Sequence, residues 1–315
     1  MEPILNPEFK RYTAFPIRYP TIHALLEKSR RLYWPPHEIE LSKDKADFDK
    51  LSDEEKHFLK MVIGFFAASD GIVNANLDEN FLSEITDYDI QALYRFQAMM
   101  EDIHSQVYGS LIDVYIEDPD ERLKLLNSIS TIETIKKKAQ WAFKWFNKDI
   151  PFSHRLIAFA CVEGIFFAGS FCAIFWFREK GVLPGLTQSN ELISRDESIH
   201  VETAVEIYKL LVNKPDKEIV YQIIRDIVEC EKEFIKESLP WNMVNMNARL
   251  MTQYIEYTAD YLIKMLGIEP LYNVSCPFHF MERISMVSKS NFFERHSTNY
   301  SIATRSEKFS LDSEF

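Results

Sequence analysis

The sequence predicts an all-α helical bundle. Three observations carry this: glycine is scarce, 8 in 315 residues; no Asn-Gly or Asp-Gly turn sits between alternating apolar residues; and apolar side chains recur at helical spacing over long capped stretches. Five of the eight glycines (Gly64, Gly71, Gly109, Gly164, Gly169) fall inside helical runs. Each costs about 1 kcal/mol relative to alanine there, so close packing is expected at these positions.

Pro3, Pro7, Pro16 and Pro20 predict an extended N-terminal arm. Thr21 is placed to cap a first helix running to Trp34, which Pro35-Pro36 stops. Ser52-Asp53-Glu54-Glu55 is a capping box that opens a helix through Phe58, Phe65, Phe66 and Val73 to about Leu82, with Asp70 among its apolar residues. Asp87 or Asp89 starts the next helix, which runs through Leu93, Met100, Ile103 and Leu111 to about Ile116. Pro119 begins a shorter pair, split near Ser128 to Thr131 and ending at Trp141 to Phe146; the basic run Lys136-Lys137-Lys138 within it reads as a solvated face.

Leu156 to Phe177 is the most apolar stretch, 22 residues with one charge, Glu163. It is long enough to span a bilayer. Arg155 and Arg178 flank it without asymmetry, no second such segment is evident and the neighbouring helices are amphipathic, so a central helix buried on all sides is the better reading. Helices at about Thr187 to Val212, 216 to 238 and 247 to 266 complete the bundle. Periodicity is lost from Ser285 to Phe315, which divides the chain into a helical domain, residues 1–284, and a flexible tail, residues 285–315.

The formal net charge of −12 is the wrong sign for gripping phosphate backbones or anionic lipid, so nucleic acid and membrane surfaces are disfavoured partners. Cys161, Cys172, Cys230 and Cys276 form no C-x-x-C pair, and Met1-Glu2-Pro3-Ile4 lacks the features of a signal peptide. Reduced thiols in a cytoplasmic protein are expected.

Chemistry centres on Glu101 to Tyr108, where Glu101, His104 and Tyr108 share one helical stripe. Two further E-x-x-H pairs exist, Glu54/His57 and Glu197/His200. With 30 Glu and 8 His, chance supplies about one such motif, so context must sort them. Glu54/His57 lies in the polar first turn of a capped helix and reads as structural. The other two lie mid-helix among apolar residues, where an unpaired carboxylate is expensive to bury. Asp70 and Glu163 pose the same problem in two other helices.

One carboxylate from each of two helices and E-x-x-H from each of two more is the dimetal pattern of ferritin-like bundles. Four carboxylates balance two divalent ions, and oxygen and imidazole donors without thiolate suit iron or manganese. Such a site can reduce O2 and oxidise a neighbour. Tyr108, one turn past His104, is the natural target, although a hydrogen-bonded core tyrosine fits the same spacing. An iron-storage protein, a di-iron oxidase with its own substrate and a single-span membrane protein stay open as alternatives.

Asp70 in Phe65-Phe66-Ala67-Ala68-Ser69-Asp70-Gly71, Glu101-x-x-His104-x-x-x-Tyr108, Glu163 in Val162-Glu163-Gly164-Ile165-Phe166-Phe167-Ala168-Gly169-Ser170-Phe171 and Arg195-Asp196-Glu197-x-x-His200 together resemble the small, radical-generating subunit of class I ribonucleotide reductase, eukaryotic or viral type. The resemblance covers nearly the whole chain. It implies two irons bound by Asp70, Glu101, His104, Glu163, Glu197 and His200, activated by O2, and a stable tyrosyl radical at Tyr108. It also implies an apolar radical pocket from Phe167, Phe171 and Ile193, and a relay from Trp34 through Asp196 to His104. Reducing O2 takes four electrons: two ferrous ions give two, Tyr108 gives one, and the fourth enters by way of Trp34. Asn291-Phe292-Phe293-Glu294 and Tyr300 resemble the segment that passes the radical between subunits, and Phe309 to Phe315 resembles the docking tail for the large catalytic subunit. A homodimer is implied. Ser198-Ile199 and Cys276-Pro277-Phe278-His279 stand where family members commonly have Gly-Leu and Asn-Pro-Phe-Asp.

Overall fold

A computed structural model of the chain describes residues 2–239 and 246–281. Its first compact unit, residues 1–277, contains the helices; of the second, residues 278–315, only 278–281 are described. The expected tail, its boundary at 284, Asn291 to Glu294, Tyr300 and Phe309 to Phe315 lie outside the described residues.

The arm is not simply extended. Two short 3-10 turns, Pro3–Leu5 and Pro7–Phe9, anchor it, with Ile4 buried and its carbonyl accepting from the Thr86 backbone N–H. Helix α1 is Pro20–Arg31: Pro20 occupies the first turn, so Thr21 is not the cap, and the helix stops before Trp34. Helix α2, Asp44–Lys50, was not expected, because it is short and too polar to show an apolar stripe.

The capping box at Ser52 forms as expected and opens α3, Asp53–Asn76. A π-helical turn, Leu77–Phe81, and α4, Leu82–Glu84, continue the same rod. Asp87 accepts from Asp89 N and Ile90 N and so caps α5, Tyr88–Tyr115. Next come α6 (Pro119–Leu126), α7 (Ser128–Thr131) and α8 (Glu133–Lys144). The apolar stretch is α9 (Phe152–Cys161), a π-turn (Val162–Phe166) and α10 (Ala168–Glu179). Three helices close the fold: α11 (Pro184–Leu210), α12 (Lys217–Ser238) and α13 (Ala248–Met265). No strand occurs among the described residues.

Helix α5 packs along α3 and touches α1 and α11, while the α9–α10 rod packs on α11, α12 and α13. Two helical rods, Asp53–Glu84 and Phe152–Glu179, are long and apolar enough to cross a membrane, so the second is not unique in this respect. Within Phe152–Glu179 the most apolar window is 94% buried against protein, which accounts for a helix apolar on every side.

The helical glycines divide. A Cβ on Gly169 would lie 2.8 Å from Glu231 Oε1 and one on Gly164 3.3 Å from Val201, whereas Gly71 and Gly109 face open space. Close packing therefore accounts for the former pair and not the latter. Lys138 departs furthest from expectation: it is 1% exposed and pairs with the fully buried Glu231. A run of three lysines spans too much of a helix's circumference for all three to face water, and Lys138 falls on the inner face.

Candidate metal centre

Four elements converge on one buried point. Helix α3 supplies Asp70; α5 supplies Glu101, His104 and Tyr108; the π-turn supplies Glu163; α11 supplies Asp196, Glu197 and His200. The six expected ligands are at most 5% exposed, so water cannot satisfy them. Glu54 lies exposed on the first turn of α3 and His57 one residue beyond that turn is exposed too, as their polar setting suggested. A π-turn inserts an extra residue into a helix and rotates the succeeding side chains to a new face. Here it carries Glu163 itself.

The donor atoms form two groups joined at Glu101. One comprises Glu101, Glu163, Glu197 and His200, the other Asp70, Glu101 and His104, with the donor atoms of each within 4.8 Å of one another. Glu101 and Glu197 both span the two histidines. Glu101 Oε1 lies 2.9 Å from His200 Nδ1 and its Oε2 3.4 Å from His104 Nδ1. Glu197 Oε2 lies 3.0 Å from His200 Nδ1 and its Oε1 3.0 Å from His104 Nδ1. Each carboxylate thus offers one oxygen to each half of the site, the arrangement that bridging two cations requires.

The residues fit such ions. Asp70 Oδ2, both oxygens of Glu101, His104 Nδ1 and Glu163 Oε2 are buried without a hydrogen-bond partner, a costly set of orphans that cations would satisfy together. Electrostatics point the same way. Burial, then the neighbouring carboxylates, pushes Asp70 and Glu163 well above the usual range. Burial also pushes Glu197 up, but the His200 and His104 imidazoles outweigh it and hold this carboxyl low. Burial opposes charge on His200, yet Glu197 and Glu101 raise it to about 10, and Asp196, Glu101 and Glu197 likewise raise His104 against its burial. Glu101 and Glu197 thus draw positive charge onto both imidazoles, the sign of charge that bound cations would supply in this cluster.

Trp34, Asp196 and His104 form a continuous chain. Trp34 Nε1 donates to Asp196 Oδ2 at 2.7 Å, and the same oxygen lies 3.3 Å from His104 Nε2, the ring nitrogen opposite the one that meets Glu101 and Glu197. The Trp34 and His104 rings are also stacked, 6.0 Å between centroids. Arg195 holds Asp196 Oδ1 at 3.1 Å and the Leu32 carbonyl at 2.7 Å, which ties the end of α1 to α11.

Tyr108 is 1% exposed and its hydroxyl has no partner. Burial, then Asp70, Glu197 and Glu101, holds the phenol well above its ordinary pKa, so it stays protonated at neutral pH and its oxidation must release a proton. Phe66 stacks flat on its ring at 4.6 Å and 6°. Phe167 and Phe171 pack in turn on Phe66, at 5.6 and 4.9 Å, and Ile193 is buried on α11 one turn before Glu197.

Sequence reasoning missed two residues here. Phe66, rather than Phe167 or Phe171, is the ring stacked on Tyr108; its place one turn before Asp70 was the available signal. Gln97, 1% exposed, donates to Glu163 Oε1 at 2.8 Å and so orients that carboxylate. It sits one turn before Glu101 on the same stripe.

Residues 11–277 match the family model described as ribonucleotide reductase, small chain. The chain is 50% identical over 301 residues to the ribonucleoside-diphosphate reductase small subunit of Dictyostelium discoideum, spanning 95% of this chain and 89% of that one. It is 46% identical over 319 residues to the small chain of vaccinia virus (strain Ankara), spanning 100% of both. Among solved structures, a ribonucleotide reductase homodimer from Saccharomyces cerevisiae matches with a TM-score of 0.82 and 35% identity, covering 95% of this chain and 93% of that one. The helical bundle, the buried carboxylate and histidine cluster and these likenesses agree, and the chain belongs to the ribonucleotide reductase small-chain family.

Proposed function

We propose that this chain holds two iron ions on Asp70, Glu101, His104, Glu163, Glu197 and His200 and, with O2, places a stable radical on Tyr108. That radical serves a separate large subunit, which reduces ribonucleoside diphosphates to deoxyribonucleotides. The observation that carries the reading is the pair of carboxylates, Glu101 and Glu197, each presenting one oxygen to His104 and the other to His200 beside a buried, unpartnered phenol.

When bound, the metal pair supplies O2 reduction and the oxidising power. The chain's own residues do the rest. Gln97 orients Glu163, and Asp70 is the carboxylate with the largest charge effect on the Tyr108 phenol. The phenol proton leaves toward that side as the electron is lost. Phe66 covers the Tyr108 ring, backed by Phe167 and Phe171; together with Ile193 they form the apolar pocket that excludes water and prolongs the radical. Trp34, Asp196 and His104 relay an electron and proton between the surface and the site, supported by their 2.7 and 3.3 Å contacts. Tyr300 extends the route to the large subunit, and Phe309 to Phe315 docks it. The protein works as a cytoplasmic homodimer, as the similar yeast protein is a homodimer.

The test is to load metal-free protein with Fe2+, admit O2 and record the electron paramagnetic resonance spectrum. A long-lived tyrosyl signal is expected, and Tyr108→Phe should abolish it. No such signal, or the same long-lived signal in the variant, would overturn the reading.

A further inference from the structure

Tyr115 lies on α5 seven residues after Tyr108. Seven residues are close to two turns, so the two phenols share one stripe, about 10.5 Å apart along the axis. Tyr115 is 3% exposed, and its hydroxyl donates to Asp44 Oδ2 at 2.8 Å. Asp44 is itself fully buried, fixed by the backbone N–H groups of Gly185 to Oδ1 at 2.8 Å and of Leu186 to Oδ2 at 2.7 Å, at the start of α11. Phe48, one turn along α2 from Asp44, stacks on the Tyr115 ring at 4.6 Å and 8°.

Capping α11 needs only the two N–H groups; it does not call for a phenol. The phenol gains what Tyr94 and Tyr108 lack, since their buried hydroxyls have no partner. An oxidised phenol is a far stronger acid than any carboxylic acid, so a tyrosine already bonded to a fixed carboxylate can lose electron and proton together without rearrangement.

We propose that Tyr115 is a second oxidisable tyrosine, with Asp44 as its proton acceptor, that exchanges the oxidising equivalent with Tyr108 along α5. This rests on the radical reading of Tyr108. In the exchange, one electron passes from Tyr115 to the Tyr108 phenoxyl. The Tyr115 O–H bond breaks and its proton moves to Asp44 Oδ2, leaving a neutral phenoxyl hydrogen-bonded to a neutral carboxylic acid. Tyr108 recovers its O–H bond by taking back the proton released toward the Asp70 side. The Gly185 and Leu186 N–H groups hold both Asp44 oxygens in place, so the acceptor does not move as the proton arrives. In this scheme the oxidising equivalent rests on Tyr108 and visits Tyr115.

The experiment uses the full chain carrying Tyr108→Phe, loaded with Fe2+, mixed with O2 and freeze-quenched at successive times. With residue 108 unable to be oxidised, the O2-activated metal pair becomes the oxidant of Tyr115. A short-lived tyrosyl signal is expected, with hyperfine splitting different from the wild-type signal, and it should be lost in the Tyr108→Phe/Tyr115→Phe double variant. In D2O, electron-nuclear double resonance on the Tyr108→Phe protein should show an exchangeable deuteron coupled to this radical, the one held between Tyr115 and Asp44. A silent Tyr108→Phe protein, a signal that survives Tyr115→Phe, or a radical with no exchangeable deuteron would each overturn the proposal. The deuteron measurement keeps Tyr115 in place, so it decides the matter even where the double variant folds poorly. Absence of any radical in the wild-type chain would instead defeat the reading of Tyr108.

Discussion

Replacing Lys138 with methionine removes the ammonium that pairs with the fully buried Glu231 at 2.5 Å. The ammonium also donates to the Phe166 carbonyl at 2.9 Å and lies 3.3, 4.2 and 4.8 Å from the ring centres of Phe65, Phe234 and Phe166. Burial lowers Lys138 below its ordinary pKa and raises Glu231 from 4.5 to about 7, even though the pair attraction works the other way for both. Desolvation therefore exceeds attraction in the intact pair. At about 1.4 kcal/mol per pH unit, keeping Glu231 ionised in the fold costs roughly 3 kcal/mol relative to the unfolded chain. Without Lys138 the carboxyl rises further, and a loss of about 3–5 kcal/mol is expected at neutral to mildly alkaline pH.

A carboxyl raised in the fold contributes stability that is fully present below the unfolded value of 4.5 and is lost as pH rises through the folded value of about 7. Lys138→Met should thus lie nearest wild type under mildly acidic conditions and fall away as pH rises. The double variant Lys138→Met/Glu231→Leu, which replaces the pair by apolar side chains, should recover most of the loss. Urea unfolding monitored by circular dichroism at two pH values measures all three. A loss below about 1 kcal/mol at the higher pH, a gap that narrows as pH rises, or no recovery in the double variant would refute the reasoning.

The three E-x-x-H pairs should separate by metal analysis: Glu54→Gln retains full iron, while Glu197→Gln loses at least the half of the site it shares with His200, because Glu54 is exposed and Glu197 spans both histidines. Equal iron in both variants would contradict that sorting. Gly109→Ala should raise stability by about 0.5–1 kcal/mol through helix propensity alone, since its Cβ meets nothing within 4 Å. Gly169→Ala should instead destabilise, because its Cβ would press on Glu231 Oε1 at 2.8 Å; calorimetric melting of the two variants gives shifts of opposite sign. Deleting residues 309–315 should leave iron content and the tyrosyl signal intact but abolish nucleotide reduction with the large subunit, and lost iron would show that the segment serves the fold instead.

The sequence by itself determined the helical bundle and the six candidate ligands. Both are local properties of helices: caps and apolar stripes are written within a few residues, and an acid in an apolar run is conspicuous wherever it occurs. Glu101/His104 and Glu197/His200 could be told from Glu54/His57 for the same reason, by the polarity of their immediate neighbours. Tertiary structure decided what depends on partners far along the chain. Gln97 meets Glu163 across 66 positions, Tyr115 meets Asp44 across 71, and Lys138 meets Glu231 across 93. Nothing near Lys138 in sequence separates it from Lys136 and Lys137, and the place of Phe66 one turn before Asp70 puts it beside the site without saying which ring it stacks on. Such pairings are fixed by which helix faces meet, and in a close-packed core that depends on every helix at once.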